Sequence, residues 1–140
     1  MAETRAPQRL QRRRAKGFRL PEGAACVDRT SRYGNMFAVR WDSSRSLLEW
    51  HVLDLGGRLS SDRLLSERYG TRLLATMAAV HLYDRHTRPE GVYALDPDRV
   101  RRDLAGKDLA CFCPLPEPGQ IDWCHAAHTL IPLANGERRA

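Results

Sequence analysis

Residues 111–128 hold three of the four cysteines and two of the five histidines of this 140-residue chain. Two segments carry them, Cys111-Phe112-Cys113-Pro114 and Trp123-Cys124-His125-Ala126-Ala127-His128. Thiolates and imidazoles bind metals or act as nucleophiles and bases, so a fold that joins the two segments creates a site for such chemistry. The clustering therefore predicts a metal site or a reactive thiol, and it does not name a substrate.

A zinc ion is the first prediction for this cluster. Cys124 and His128 are four residues apart on a predicted helix and point from one face, and Cys111 and Cys113 alternate along an extended turn. Three thiolates and one imidazole form a common tetrahedral zinc set. The predicted ligands are Cys111, Cys113, Cys124 and His128, with His125 as the alternative to His128. Packing is the competing interpretation, because free cysteine is among the most buried residue types.

Thiol chemistry is the second interpretation of the cluster. A catalytic cysteine needs a nearby cation or a helix N-terminus to stabilise its thiolate. Cys124 lies in the first turn of its predicted helix and His125 is a candidate general base, so the candidate catalytic residues are Cys113, Cys124 and His125. The zinc-deaminase signature, the Walker motif and the dinucleotide glycine motif are absent from the sequence. Whether the chain is an enzyme stays open.

The composition fits one soluble domain, since 42% of residues are hydrophobic and 29% are charged. No apolar run approaches the ~18 residues that a membrane span requires, so no membrane partner is expected. The N-terminus lacks the apolar stretch of a secretory signal, which predicts a cytoplasmic protein with reduced cysteines. The predicted division is a basic arm at 1–20, one domain at 21–136 and a C-terminal tail at 137–140.

All of the net positive charge lies in the basic arm, residues 1–20. The whole chain carries a net charge of +6, and the arm has seven basic residues against Glu3, so the remaining 16 basic and 16 acidic residues balance. Such an arm predicts phosphate contacts, with nucleic acid or a nucleotide as the partner. The arm is expected to be extended or disordered, with 8–16 able to become helical on a polyanion. The predicted nucleic-acid-binding residues are Arg9, Arg12, Arg13, Arg14 and Lys16.

Hydrophobic periodicity predicts an α/β or α+β fold, a small single-domain sheet with a β-hairpin, packed by about three helices. The predicted strands are 24–27, the hairpin strands 36–41 and 47–55, and 108–112. A helical segment capped by Ser60 or Ser61 is predicted to contain Leu64, Leu65 and Tyr69, and a longer helix follows with an apolar stripe at Leu73, Leu74, Met77, Val80, His81 and Tyr83. A short helix is predicted from Asp96-Pro97, and a last helix from near Asp122 to Asn135-Gly136.

The segment 29–35, called here the arginine loop, combines forked cations, hydroxyls and an aromatic ring. Such groups hold phosphate or a planar ligand. If strands 24–28 and 108–112 are parallel neighbours, the arginine loop and the cysteines leave the same edge of the sheet, where ligands collect. An antiparallel arrangement would separate them. The predicted ligand-binding residues are Arg29, Thr30, Ser31, Arg32, Tyr33 and Asn35.

Four ordered segments, 8–18, 29–35, 106–113 and Cys124-His125, together resemble domain-of-unknown-function family 4326, small proteins common in phages and bacteria. The resemblance implies that the basic arm belongs to the domain and packs against its body. The chain departs from the family's usual pattern at Thr30, Tyr33 and Met36, and at Ala127, where members usually carry aspartate. If that aspartate orients the histidine, the departure weakens the role of His125 and leaves His128 as a substitute.

Three functions follow from these features. The first is a small protein of phage or bacterial type that binds nucleic acid or a nucleotide, with a Cys/His cluster that holds zinc. The second is an enzyme that acts on a nucleotide or modified base through that cluster. The third is a phage protein that inhibits a host protein and acts in the host cytoplasm.

Overall fold

A computed structural model of the chain describes residues 6–42 and 49–136. The described residues form two small sheets and three helices, which confirms the predicted α+β class. The hairpin turn at 43–45 and the tail at 137–140 lie outside the described residues. In chain order the elements are β1 (Arg9–Gln11), β2 (Ala25–Cys26), β3 (Phe37–Asp42), β4 (Glu49–Asp54), β5 (Leu64–Tyr69), α1 (Arg72–His86), α2 (Pro97–Leu104), β6 (Leu109–Cys111), a π-helical turn (Ala126–Leu130) and α3 (Ile131–Ala134).

The chain divides into two compact units. The first comprises Met1–Gly34 and Leu95–Ala140, and the second comprises Asn35–Ala94. The boundaries predicted after residues 20 and 136 stay predictions. Among the described residues, no helix combines the length and the apolar character needed to cross a membrane.

The first unit contains a parallel sheet with the strand order β1-β6-β2. β6 lies in the centre, with Leu109 opposite Arg9 on one side and Ala25 on the other. All three residues of β6 are buried, as a central strand of a parallel sheet requires. The prediction that 24–28 and 108–112 are neighbouring parallel strands is confirmed. The carboxyl ends of β1, β2 and β6 therefore meet at one edge.

The arm, expected to be extended or disordered, forms β1 at Arg9–Gln11, and helix formation by 8–16 on a polyanion stays a prediction. The edge of β6 presents backbone groups that need partners, and β1 supplies them. Leu109 N donates to Gln8 O at 3.0 Å, and Arg12 N donates to Cys111 O at 2.7 Å. A helix this short is marginal in water, whereas strand pairing satisfies both chains. The implied packing of the arm against the body is confirmed.

The second unit contains the antiparallel sheet β3-β4-β5, and the predicted hairpin is confirmed as β3 and β4. The helical segment predicted for Leu64, Leu65 and Tyr69 is wrong, because these residues belong to β5. Tyr69 pairs with Trp50 and Leu64 with Leu53. Pairing with the open edge of β4 overrides the local helix propensity.

The turn before β5 shows why the predicted helix cap fails. Arg63 adopts a positive φ of 65°, and its N–H donates to Ser60 O at 3.0 Å. Ser60 donates its hydroxyl to Asp62 at 2.5 Å, so the serine closes a turn. A residue at positive φ cannot continue a right-handed helix.

Helix α1 is confirmed, but only part of its predicted apolar stripe is buried. Val80 and Tyr83 are buried, whereas Leu73 and Leu74 are 58% and 49% exposed. The small side chains Ala75 and Ala79 are the buried residues of the first half of α1. The predicted stripe is therefore correct at Val80 and Tyr83 and wrong at the two leucines.

The last helical segment differs from the regular helix that the sequence predicts. Pro132 lacks an N–H and cannot bond to the carbonyl four residues before it. Ile131 N–H instead bonds to Ala126 O, five residues back, which widens Ala126–Leu130 into a π-helical turn. The predicted stop at Asn135-Gly136 is confirmed, and Gly136 has a φ of 90°. The predicted start of α2, Asp96 as N-cap before Pro97, is confirmed as well.

Candidate metal centre

Three thiols, those of Cys111, Cys113 and Cys124, form what is called here the cysteine group. Their Sγ atoms lie within 4.8 Å of one another, and those of Cys111 and Cys113 are 3.7 Å apart. Thiolates bound to one tetrahedral zinc at ~2.3 Å stand about 3.8 Å from each other. Cys111 and Cys124 are buried and Cys113 is half-buried. The cysteine group is therefore close enough to hold a metal ion.

The imidazole of His125 borders the cysteine group. Its Nε2 lies 2.8 Å from Val27 O, and its Nδ1 lies 3.8 Å from Cys124 Sγ. Because a carbonyl oxygen only accepts, Nε2 carries the hydrogen. Burial lowers the pKa of His125, against the opposing effects of the Cys111 charge and of backbone hydrogen bonds to Val27 and Tyr33. The lowered pKa favours the neutral ring, in which Nε2 donates to Val27 O and Nδ1 faces Cys124 Sγ.

His128, the histidine first predicted as the fourth ligand, lies elsewhere. Its ring stacks on Trp123 with centroids 5.8 Å apart, and its Nδ1 lies 3.3 Å from Thr129 Oγ1. The only His/Cys/Asp/Glu group of metal-binding size in the described part of the chain is the three cysteines, without His128 and without His125, although His125 Nδ1 lies 3.8 Å from Cys124 Sγ. His128 N bonds to Cys124 O at 2.9 Å, but Cys124 lies before the first helical residue, so the two side chains are not both on one face of a helix as the i,i+4 argument required. The geometry favours the alternative, His125.

The cysteine group accommodates one negative charge easily and further ones poorly. Hydrogen bonds from the Cys113 and Cys124 thiols lower the pKa of Cys111 to about 2. The same interactions with Cys111 raise the pKa of Cys113 and of Cys124. Three thiolates can coexist only if a cation compensates their repulsion, and metal binding releases the remaining protons. A bound cation would therefore favour the thiolate forms of the cysteine group.

Arg9 connects β1 to both cysteine-bearing segments. Its side chain is 3% exposed, and its Nε and Nη2 donate to the two carboxylate oxygens of Asp122 at 2.7 and 2.9 Å. Nη1 donates to Cys113 O, and Nη2 also donates to Pro114 O at 2.7 Å. Burial would lower the pKa of Arg9, but the bond to Asp122 and nearby negative charges raise it. This predicted phosphate-binding residue therefore faces the interior.

The arginine loop starts at a buried carboxylate. Asp28 accepts hydrogen bonds from Thr30 N and Thr30 Oγ1, and from Arg12 Nη1 at 2.7 Å. Burial alone would raise the pKa of Asp28, but the bonds from Thr30 and Cys26 and the Arg12 charge outweigh it and lower the pKa. The Ser31 hydroxyl donates to Asp28 O at 2.8 Å. Both loop hydroxyls thus bond within the loop.

The other members of the arginine loop divide between surface and interior. Arg29 and Arg32 are exposed. Tyr33 is buried and donates its hydroxyl to Asp103 at 2.7 Å, so its ring is no open stacking face. Asn35 belongs to the second unit, where its side chain accepts from Phe37 N at 2.8 Å. Arg29, Arg32 and Thr30 are the predicted ligand-binding residues that the structure leaves exposed, and the Thr30 hydroxyl bonds to Asp28.

The basic arm packs against Phe112, the residue between Cys111 and Cys113. The guanidinium carbons of Arg12 and Arg14 lie 5.2 and 4.9 Å from the centroid of the Phe112 ring, within cation–π range. Arg13, Arg14 and Lys16 are exposed. Since Arg12 also bonds Asp28, the arm, the arginine loop and the cysteine group meet at the carboxyl edge of the parallel sheet.

Two groups at the carboxyl edge of the parallel sheet could not be predicted from the sequence. Asp122 and the Val27 carbonyl act through partners more than 90 residues away in sequence, and no local pattern indicates such pairs. A third, Gly34, carries a local signal in its Gly-Asn pair. A Cβ at Gly34 would lie 2.3 Å from Asp28 O, so the arginine loop closes only around glycine.

Fold and site together define a small α+β protein with a cysteine group of metal-binding type beside a basic edge. The chain belongs to the family described as domain of unknown function (DUF4326), which it matches over residues 10–136. The predicted resemblance is thereby confirmed. No curated protein and no solved structure matches the sequence.

Proposed function

We propose that this chain is a small nucleic-acid- or nucleotide-binding protein whose basic edge is built on a structural zinc site. The single observation that carries the proposal is the set of three Sγ atoms within 4.8 Å of one another, with His125 Nδ1 3.8 Å from one of them. Zinc is the metal that this donor set suits best, because thiolate and imidazole ligands in tetrahedral geometry are typical of zinc.

The surroundings of His125 support it as the fourth ligand. A metal-binding histidine usually donates its other ring N–H to a carbonyl or carboxylate, which fixes the tautomer and the ring orientation. The Val27 carbonyl does this for His125 at 2.8 Å. Four protein ligands leave no open position on the metal, so zinc here would hold the ends of β2 and β6 together as a structural ion.

Exposed cations on two segments support the binding half of the proposal. Arg13, Arg14 and Lys16 lie on the basic arm, and Arg29 and Arg32 lie on the arginine loop. Both segments leave the carboxyl edge of a parallel sheet, where ligands of open α/β sheets bind. Five cations around one edge favour a polyanion, and phosphate groups are the anions that arginine forks fit.

Elemental analysis tests the zinc half. We expect purified protein to hold close to one zinc ion per chain, and Cys124→Ser to lose it. A wild-type protein without zinc after purification and reconstitution would refute the metal site.

Salt-dependent binding of a single-stranded oligonucleotide tests the second half of the proposal, the binding of nucleic acid. Each phosphate contact adds ~0.7 to the slope of log affinity against log salt, so Arg13→Gln, Arg14→Gln and Lys16→Gln together should lower the slope by about 2. Arg101→Gln, an exposed arginine of α2, is the matched control. Absence of binding at low salt would refute this half and leave the zinc half standing.

The two other functions stay predictions, and the site weighs against the enzyme. Its candidate nucleophile Cys124 is buried and Cys113 is half-buried, which limits the access of a substrate to both. The third thiol of the cysteine group, Cys111, is buried as well.

A further inference from the structure

Arg9 bonds to both segments that carry the cysteine group, and this arrangement has no counterpart in a simple phosphate-binding arm. We infer that Arg9 is a positioning residue of the metal centre, which fixes the Cys113 and Cys124 segments in the geometry that the metal requires. The inference rests on the proposed zinc site. It makes β1, the strand formed by the basic arm, part of the structure that supports that site.

The hydrogen bonds of Arg9 reach both segments within two residues of a ligand. On one side its guanidinium donates to Cys113 O and to Pro114 O, so it fixes the backbone of a ligand itself. On the other it forms a bidentate pair with Asp122, whose carbonyl accepts from Cys124 N at 2.9 Å. A planar guanidinium binds these acceptors at once, which a lysine ammonium cannot do.

Burial makes these bonds difficult to replace. The Arg9 side chain is 3% exposed, so water cannot take over its contacts when the guanidinium is removed. The Cys113 and Pro114 carbonyls would lose their donor, and the segment that holds Cys113 would shift. Metal sites tolerate ligand displacements of only ~0.2 Å, and loss of a partner that orients a ligand typically costs ~10–100-fold in metal affinity.

The hydrogen bonds of Arg9 also couple the docking of the basic arm to the binding of the metal. β1 has three residues, and the structure holds it to β6 through Arg9 and through backbone bonds such as Arg12 N to Cys111 O. Any preference of zinc for the arrangement with β1 docked is matched by an equal preference of docked β1 for zinc. Removing the Arg9 guanidinium should weaken both.

Zinc competition with a chromophoric chelator tests the inference on the full chain. We expect Arg9→Gln to lower zinc affinity by ~10–100-fold, Arg9→Lys to recover part of it, and Asp122→Asn to fall between Arg9→Lys and Arg9→Gln. Arg101→Gln should match wild type. It removes an arginine that is paired with Asp98, at a distance of 2.5 Å, and that lies away from the cysteine group. The cobalt-substituted variants should show altered visible bands, because the sulfur geometry around the ion changes.

Thermal unfolding with and without zinc separates positioning from general stabilisation. A purely structural Arg9 would lower both melting temperatures equally and leave zinc affinity unchanged. Arg9→Gln and Arg9→Lys within threefold of wild-type affinity would therefore overturn the inference. If Arg9→Gln does not fold, Arg9→Lys and Asp122→Asn decide by the same criterion. A wild-type protein that binds no zinc would instead refute the proposed metal site itself.

Discussion

The choice between His125 and His128 as the fourth ligand can be decided by substituting each in turn. His125→Ala removes Nδ1 from beside Cys124 and leaves the Val27 carbonyl without its donor. His128→Ala removes a ring stacked on Trp123. His125→Gln is the informative companion, because its amide N–H can still donate to the carbonyl while the imidazole ligand is lost.

The expected magnitudes differ enough to be measured. With free zinc 1,000-fold above its dissociation constant, zinc stabilises the fold by about 4.1 kcal/mol, and a 100-fold loss of affinity reduces this to about 1.4 kcal/mol. Loss of a ligand should cost at least ~100-fold, above the range for outer partners. His128→Ala should cost ~0.5–1.5 kcal/mol with or without zinc, the value of one aromatic pair.

Urea unfolding in zinc and in chelator gives these quantities directly. We expect both His125 variants to lose ~2.7 kcal/mol of the zinc-dependent increment, and His125→Ala to lose a further ~1–3 kcal/mol in chelator from the orphaned Val27 carbonyl. His128→Ala should keep the full increment. If His128→Ala loses the zinc increment and His125→Gln keeps it, the assignment of the fourth ligand is wrong.

Two further predictions concern the arginine loop. The pKa of Asp28 is lowered in the folded protein, so its carboxylate contributes stability above the unfolded value near pH 4, and this contribution is lost as pH falls through the folded value. Asp28→Asn should therefore cost ~1–3 kcal/mol at pH 7 and less at pH 3, measured by urea unfolding; an equal loss at both pH values would contradict the assigned charge. Gly34→Ala should destabilise the fold by ~1–3 kcal/mol, because its Cβ would meet Asp28 O at 2.3 Å. Gly70→Ala, whose Cβ would have no heavy atom within 4 Å, is the matched control in thermal unfolding, and equal melting temperatures would refute the argument.

Local signals account for the parts of the fold that the sequence predicts well. The Asp96-Pro97 start of α2 and the Asn135-Gly136 stop are read from neighbouring residues, since caps and stops are local interactions. β5 is predicted wrongly as helix, and β1 is predicted only as part of an extended or disordered arm. Both are edge strands whose partners, β4 and β6, lie elsewhere in the chain, so pairing decided them against local propensity.

The candidate site also has one part that local sequence signals predict and another that they do not. The cysteine group is predictable because Cys111 and Cys113 alternate on an extended segment, a local geometry. The fourth ligand is not, because the i,i+4 rule presumes a regular helix. The rule applies to two residues within a helix, and Cys124 lies before the first helical residue.

By itself the sequence determined the chemical inventory: a cysteine group, two nearby histidines and a basic arm, because these depend only on which residues are present. The tertiary structure alone decided which of them meet. Arg9 and Asp122 are 113 residues apart and meet only because β1 docks beside β6. Whether an arginine binds phosphate at the surface or positions a metal site depends on which groups surround and desolvate its guanidinium, and only the folded chain specifies those.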